Sequence, residues 1–336
     1  MRYHRYVGRL GSQPVVVEVL ANPEKYDMTE PLSGSYYDAR KGKTTDLSFA
    51  VFNPRQRLQF KAFPPEDSTE HWQAQQPLGP SLTGTVTAAG KPSRHFALRE
   101  DYQGAVPLVI RTATMYGRPV VAEFGDQGEP GQFTGSYRYQ YVQLLGSAAQ
   151  RPELQRAFPS RPAQVRAHLR REFRQGEGDL ANMEDYMGIT LNDYGILGYS
   201  KYISDFGAGA SHPQNIYKSW SYDLHTGRRI TLASLFKPGS RPALLQLALH
   251  YMDPSYLADI QEWYDNPQQG AEGLTYLNLE EVFGLSPAGL TLDADLGPHA
   301  MGPTTITIPY AALRPLLRPG TPLNRVLVAQ GLPPVR

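Results

Sequence analysis

Over the first third of the chain, apolar and aromatic residues alternate with polar ones in short runs. The runs fall at residues 14–20 (PVVVEVL), 34–38 (GSYYD), 47–52, 58–63, 81–87, 95–99 and 108–113, with turn residues such as ARKG at 39–42 and AGKP at 89–92 between them. A period of two, punctuated at this spacing, predicts antiparallel strands, and no helical period competes with it. Residues 3–113 are therefore expected to form an antiparallel β meander or a small barrel.

The pattern changes beyond the turn-rich stretch 125–132 (GDQGEPGQ), so residues 114–135 are read as a boundary region. Residues 134–145 (TGSYRYQYVQLL) form a long alternating strand with Tyr137, Tyr139 and Tyr141 on one face. Ser160 and Pro162 then open a helix in which Val165, Leu169 and Phe173 recur every four residues, and Arg166, Arg170, Arg171 and Arg174 make its solvated face.

Strands follow at 187–192 and on both sides of a glycine-rich turn within 196–236. Helices are predicted at 242–252 and 256–264, strands at 274–279 and 304–308 (TTITI), short apolar segments at 283–285 and 289–292, and a closing helix at 309–317. The expected fold class is α+β. An N-terminal antiparallel β domain (3–113) precedes a second domain (136–320), an antiparallel sheet packed by helices on one side, and 331–336 is a loose tail. The two tyrosine-rich segments flanking His212 should lie side by side, with 306–310 (ITIPY) completing the same layer.

Composition agrees with this balance. The 29 Pro, 31 Gly and 21 Tyr of the 336 residues favour short strands joined by turns over long helices. A formal net charge of +1 gives no field to steer a polyanion, so nucleic acid is not an expected partner. The absence of cysteine removes disulfides, thiolate nucleophiles and Cys-ligated metals. No run of about 18 apolar residues is present to span a membrane. The start, MRYHRYVGRLG, has no apolar signal core.

Few residues suggest chemistry. The eight histidines contain no pair three to five residues apart, so zincin and zinc-finger spacings are missing, and no cofactor is expected. Neither nucleotide-binding glycine patterns nor a Gly-x-Ser-x-Gly elbow occurs, so no catalytic residue is assigned. His212, beside Pro213 on the glycine-rich turn, either presents its imidazole to a ligand or pins the turn through a backbone carbonyl. The pairs Tyr199 with Tyr202 and Trp220 with Tyr222 are either an exposed aromatic platform or the ordinary half-buried face of a sheet.

The order of several short motifs carries a resemblance. They are Gly209-Ala210-Ser211-His212-Pro213, Tyr222-Asp223-Leu224, Thr226-Gly227-Arg228, Thr231-Leu232 before Leu235-Phe236, Gly289-Leu290, Pro298-His299-Ala300-Met301-Gly302, and ITIPYAAL at 306–313. In this order, residues 136–317 resemble the C-terminal domain family, of unknown function, found in the lysozyme-sensing anti-sigma-V factor and in the non-catalytic part of peptidoglycan deacetylases. Ser211 is an insertion relative to that family's turn, and His299 stands where it has a tyrosine.

The resemblance implies an α+β domain outside the cytoplasmic membrane. On it rests the expectation of a non-catalytic cell-envelope protein that recognises a lysozyme-like enzyme, another envelope protein or peptidoglycan, with His212, Asn215, Tyr222 and His299 as ligand-binding candidates. Envelope localisation assumes an export or lipid-anchor segment outside this sequence; the cytoplasm is the alternative. The rival functions are a hydrolase of envelope glycans or esters with His212 or His299 as general base, and a purely structural lipoprotein.

Overall fold

The computed structural model describes residues 1–21, 33–38, 42–51, 58–63, 69–124, 129–158, 162–175, 181–207, 214–263, 278–294 and 304–336. The strands β1 (Arg2–Leu10), β2 (Gln13–Ala21), β3 (Ser33–Asp38), β4 (Thr44–Val51), β5 (Gln59–Ala62), β6 (Glu70–Ala74), β7 (Ser81–Ala88) and β8 (Lys91–Glu100) each pair antiparallel with the next. β8 returns to β1, from Tyr6 opposite Glu100 to Leu10 opposite Phe96, and closes an eight-stranded barrel. A barrel of eight strands is just wide enough for side chains to fill. Trp72 sits in the middle of the filling, with its ring centroid 5.0 Å from that of Tyr36 and 5.2 Å from those of Phe60 and Phe96.

Of the two expected forms, meander or small barrel, the barrel is the one present. One of its strands, β6, carries no apolar run: in EHWQA only Trp72 and Ala74 are apolar and inward, and Glu70 joins them inside. Glu70 is tolerated there because Tyr36 Oη and Trp72 Nε1 donate to it, at 2.9 and 3.1 Å, and Arg94 pairs with it.

β2 shows why PVVVEVL is almost continuously apolar. Val15, Val17 and Val19 fill the barrel, while Val16, Glu18 and Leu20 are also buried, on the outer face, where the rest of the molecule packs. That rest begins with a long hairpin, β9 (Leu108–Phe124) and β10 (Glu129–Leu144). The stretch 114–135, expected as a boundary, is in its described residues the outer half of this hairpin. α1 (Pro152–Ala157) and α2 (Pro162–Gln175) then cross over, as parallel pairing requires, to deliver β11 (Ala181–Asp193) alongside β10. β12 (Ile196–Gly207), β13 (Gln214–Asp223) and the short β14 (Arg229–Ile230) complete the sheet.

The expected pairing around residue 212 is present, from Ile196 opposite Asp223 to Asp205 opposite Gln214. The expected place of ITIPY is not. It belongs to a separate three-stranded sheet, β15 (Phe283–Leu285), β16 (Gly289–Ala294) and β17 (Thr304–Pro309), stacked on the face of the main sheet opposite α1 and α2. Glycine at position 198 eases this stacking, since a Cβ there would lie 3.2 Å from Leu285 O. α3 (Leu232–Leu235), α4 (Arg241–Tyr251), α5 (Pro254–Trp263), α6 (Leu279–Val282), α7 (Tyr310–Leu313) and α8 (Leu323–Ala329) surround the small sheet. The strand expected at 274–279 lies outside the described residues up to 277, and helix α6 follows. Residues after α8 run back along it, where Asn324 exchanges two hydrogen bonds with the backbone of Val335. No helix among the described residues is long and apolar enough to cross a membrane.

The β11–β12 turn joins these parts. Tyr194 and Gly195 both have positive φ (56° and 71°), the geometry of a tight two-residue hairpin turn. Beside it, Asp193 accepts from Arg5 Nη2 at 2.6 Å, Tyr37 Oη at 2.9 Å and Tyr194 N at 2.8 Å. Arg325 of α8 donates to Tyr194 O, Gly195 O and Asp223. One turn therefore holds the outer wall of the barrel, β13 and the last helix.

Glu18 lies in the same junction, fully buried and hydrogen-bonded by Tyr3 Oη. Burial pushes its carboxyl from 4.5 up to about 7, against the opposing pull of the Tyr3 hydroxyl and Arg5. A raised carboxylate pKa means that its stability contribution is fully present below pH 4.5 and is lost as pH rises through 7. We expect the stability difference between the protein and Glu18→Gln to change by about 3 kcal/mol across that window, read by urea unfolding at a series of pH values. A pH-independent difference would contradict this.

Candidate functional site: an aromatic sheet face

The outer halves of β11, β12 and β13 extend past the small sheet. Residues two apart on a strand share a face, and directly opposed residues share it too. Tyr186 stands opposite Tyr202, and Tyr202 opposite Tyr217. Their ring centroids are 5.8 and 5.1 Å apart, tilted by 39° and 49°. Phe206 and Asn215 lie on the same face. Tyr186 is 44% exposed and Phe206 38%, while Tyr202 and Tyr217 are half-buried, so the row is open to solvent in part.

The row has polar handles. Tyr202 Oη donates to Asn215 Oδ1 at 2.7 Å, and Tyr186 Oη donates to Glu184, whose carboxylate keeps the Tyr186 hydroxyl protonated above its ordinary range. Rings of this kind offer rigid apolar contact area with hydrogen-bonding edges, at low entropic cost on binding.

The opposite face is covered and charged inside. Lys201 Nζ donates to Asp185 Oδ2 at 2.5 Å and sits 3.9 Å from the centroid of the Tyr139 ring. Tyr137 Oη reaches the same carboxylate at 3.4 Å, and Val165 and Leu169 of α2 pack with Tyr137 above it. Burial raises the Asp185 pKa while Lys201 pulls it down. This pair spans β11 and β12 and fixes the backbones that carry the aromatic row.

Asn215 and Tyr222, both predicted as ligand-binding, are on one strand but on opposite faces. Asn215 belongs to the open row, whereas Tyr222 packs at 4.9 Å from Phe158 and 6.2 Å from Tyr199 on the covered face. Tyr199 and Tyr202 are likewise split, being three residues apart. His212 and His299 lie outside the described residues. Sequence reasoning missed Tyr186, Phe206 and Tyr217. Parity with Asn215 would have found Tyr217, but Tyr186 needs the β11–β12 register.

With this geometry in place, comparison with known proteins adds the following. No protein-family model and no curated protein matches the chain. Among solved structures, it is similar to a member of the DUF3298 family from Bacteroides fragilis, at 16% identity and a TM-score of 0.45 over 68% of this chain and 100% of that one. It is also similar to a DUF3298 family protein from Pseudomonas aeruginosa, at 15% identity and a TM-score of 0.44 over 69% and 98% of the two chains.

Proposed function

We propose that this protein is a non-catalytic recognition module of the bacterial cell envelope, and that the Tyr186–Tyr202–Tyr217 row with Phe206 and Asn215 is its presenting surface. The observation that carries the reading is a row of aromatic rings, exposed at Tyr186 and Phe206 and half-buried at Tyr202 and Tyr217, on a face whose reverse side is locked by a buried ion pair. Rigid, exposed aromatics flanked by polar groups suit a sugar ring or an apolar protein epitope. The motif resemblance to the lysozyme-sensing anti-sigma-V domain selects the two partners to test, a lysozyme-like enzyme and peptidoglycan. In this reading the barrel and the α+β part are two domains.

Cosedimentation with insoluble peptidoglycan, and gel filtration with lysozyme, test it. One of the two should retain the protein at micromolar concentration; retention by neither would remove the proposal.

A further inference from the structure

A second site lies among the short helices around the small sheet, outside the aromatic row, and its argument does not depend on the proposal above. A cleft of about 300 Å³ opens between α3, the N-terminal end of α4, α6 and residue 318. That volume lies at the lower end of the range for small-molecule sites. Its floor is apolar, made by Leu232, Phe236, Leu244 and Leu279. Lys237, Arg241 and Arg318 stand around its mouth.

The walls are preformed. Thr231 and Ser234 cap α3 reciprocally, at 3.1 and 2.9 Å. Phe236 bridges to Leu317, with Lys237 N donating to Leu316 O at 2.9 Å and Arg318 N to Leu235 O at 2.8 Å. Two of the cations are held by backbone carbonyls: Arg318 Nε donates to Phe236 O at 2.6 Å and Lys237 Nζ to Pro315 O at 2.8 Å. The one acidic residue lining the cleft among the described residues, Glu280, accepts from the Ala233 amide at 3.4 Å.

We infer that this cleft binds a small amphipathic carboxylate, a molecule with one apolar body and one terminal carboxylate group. The body would lie on the Leu232, Phe236, Leu244 and Leu279 floor. The carboxylate would meet the cations at the mouth, where Arg318 can still donate from Nη1 and Nη2 and charge-assisted bonds are the strong ones. A cation of the same shape is repelled, which makes the charge dependence diagnostic.

The test is isothermal titration of the full chain with decanoate, decylamine and decanol. Decanoate should bind, decanol about tenfold or more weakly, and decylamine not measurably. Arg318→Gln should weaken decanoate about tenfold. Ala233→Phe, which adds a ring at an exposed position lining the cleft, should abolish binding while leaving the circular dichroism spectrum and melting temperature unchanged. The assignment is overturned if decylamine or decanol binds as well as decanoate, if no decanoate binding occurs at millimolar concentration, or if folded Ala233→Phe binds like the unaltered protein.

Discussion

Replacing Asp193 by alanine should cost about 3–5 kcal/mol of folding stability, the loss expected when one partner of a buried ion pair is removed and the other stays behind. Arg5 is 4% exposed and Asp193 7%, and Asp193 is the carboxylate that Arg5 Nη2 meets. Burial works against the Arg5 charge, and Asp193 more than restores it, so the guanidinium is held firmly protonated. Without Asp193 that cation would keep only the Asp101 carbonyl at 2.8 Å, and Tyr37 Oη would lose the acceptor it has there. Asp193→Asn should be intermediate, because an amide oxygen can still accept from Tyr37 but carries no charge. Urea unfolding at pH 7 reads the difference. A loss below about 1 kcal/mol, the scale of an exposed pair, would contradict the view that this turn ties the barrel to the sheet.

A second large effect is expected at the barrel seam. Gly8 of β1 lies opposite Leu98 of β8, and a Cβ built on it would stand 2.0 Å from Ala97 O. That contact is with backbone and cannot be relieved by a side-chain rotation. Gly8→Val should therefore part β1 from β8 or displace both, at a cost of more than about 3 kcal/mol, beyond the usual range for an overpacked core. Gly79→Ala in the same barrel is the control. Its Cβ would meet only Pro77 O at 3.8 Å, and its effect should stay within about 0.5 kcal/mol. Equal melting temperatures for the two variants would argue against closure through this contact.

These two sites mark what was legible in the sequence. Alternation located barrel strands such as β5 and β7, which bury one face and leave the other more open, and the nearly continuous apolar run of β2 located a strand buried on both faces. β6 escaped because one of its inward residues is Glu70, whose partners Tyr36 and Arg94 come from other strands. Closure was expected only as one of two forms, since the need for glycine at position 8 is set by a carbonyl 89 residues away and gives no local signal. The pairing of β12 with β13 could be read from two aromatic strands around GAGASHPQN, a local arrangement. The placement of ITIPY could not: an apolar strand is equally suited to a sheet's edge or to a second layer, and the packing of β15 over Gly198 is a long-range contact with no local signal.

The candidate site was half legible for the same reason. Aromatic richness is visible in a string of letters, but which face each ring occupies depends on register. A separation of three puts Tyr199 and Tyr202 on opposite sides, and seven does the same for Asn215 and Tyr222. The Lys201–Asp185 pair, from adjacent strands, had no local signal at all.

The most direct measurement is a titration of lysozyme, and separately of soluble disaccharide-peptide fragments of peptidoglycan, into the protein, into Tyr202→Ala/Tyr217→Ala, and into Tyr116→Ala, whose ring is 72% exposed on the β9–β10 hairpin. The account predicts that one of the two ligands binds the unaltered protein and Tyr116→Ala equally, and binds the double variant at least about tenfold more weakly, as for removal of interface aromatics. Equal affinity for all three proteins, or binding of neither ligand, would contradict it.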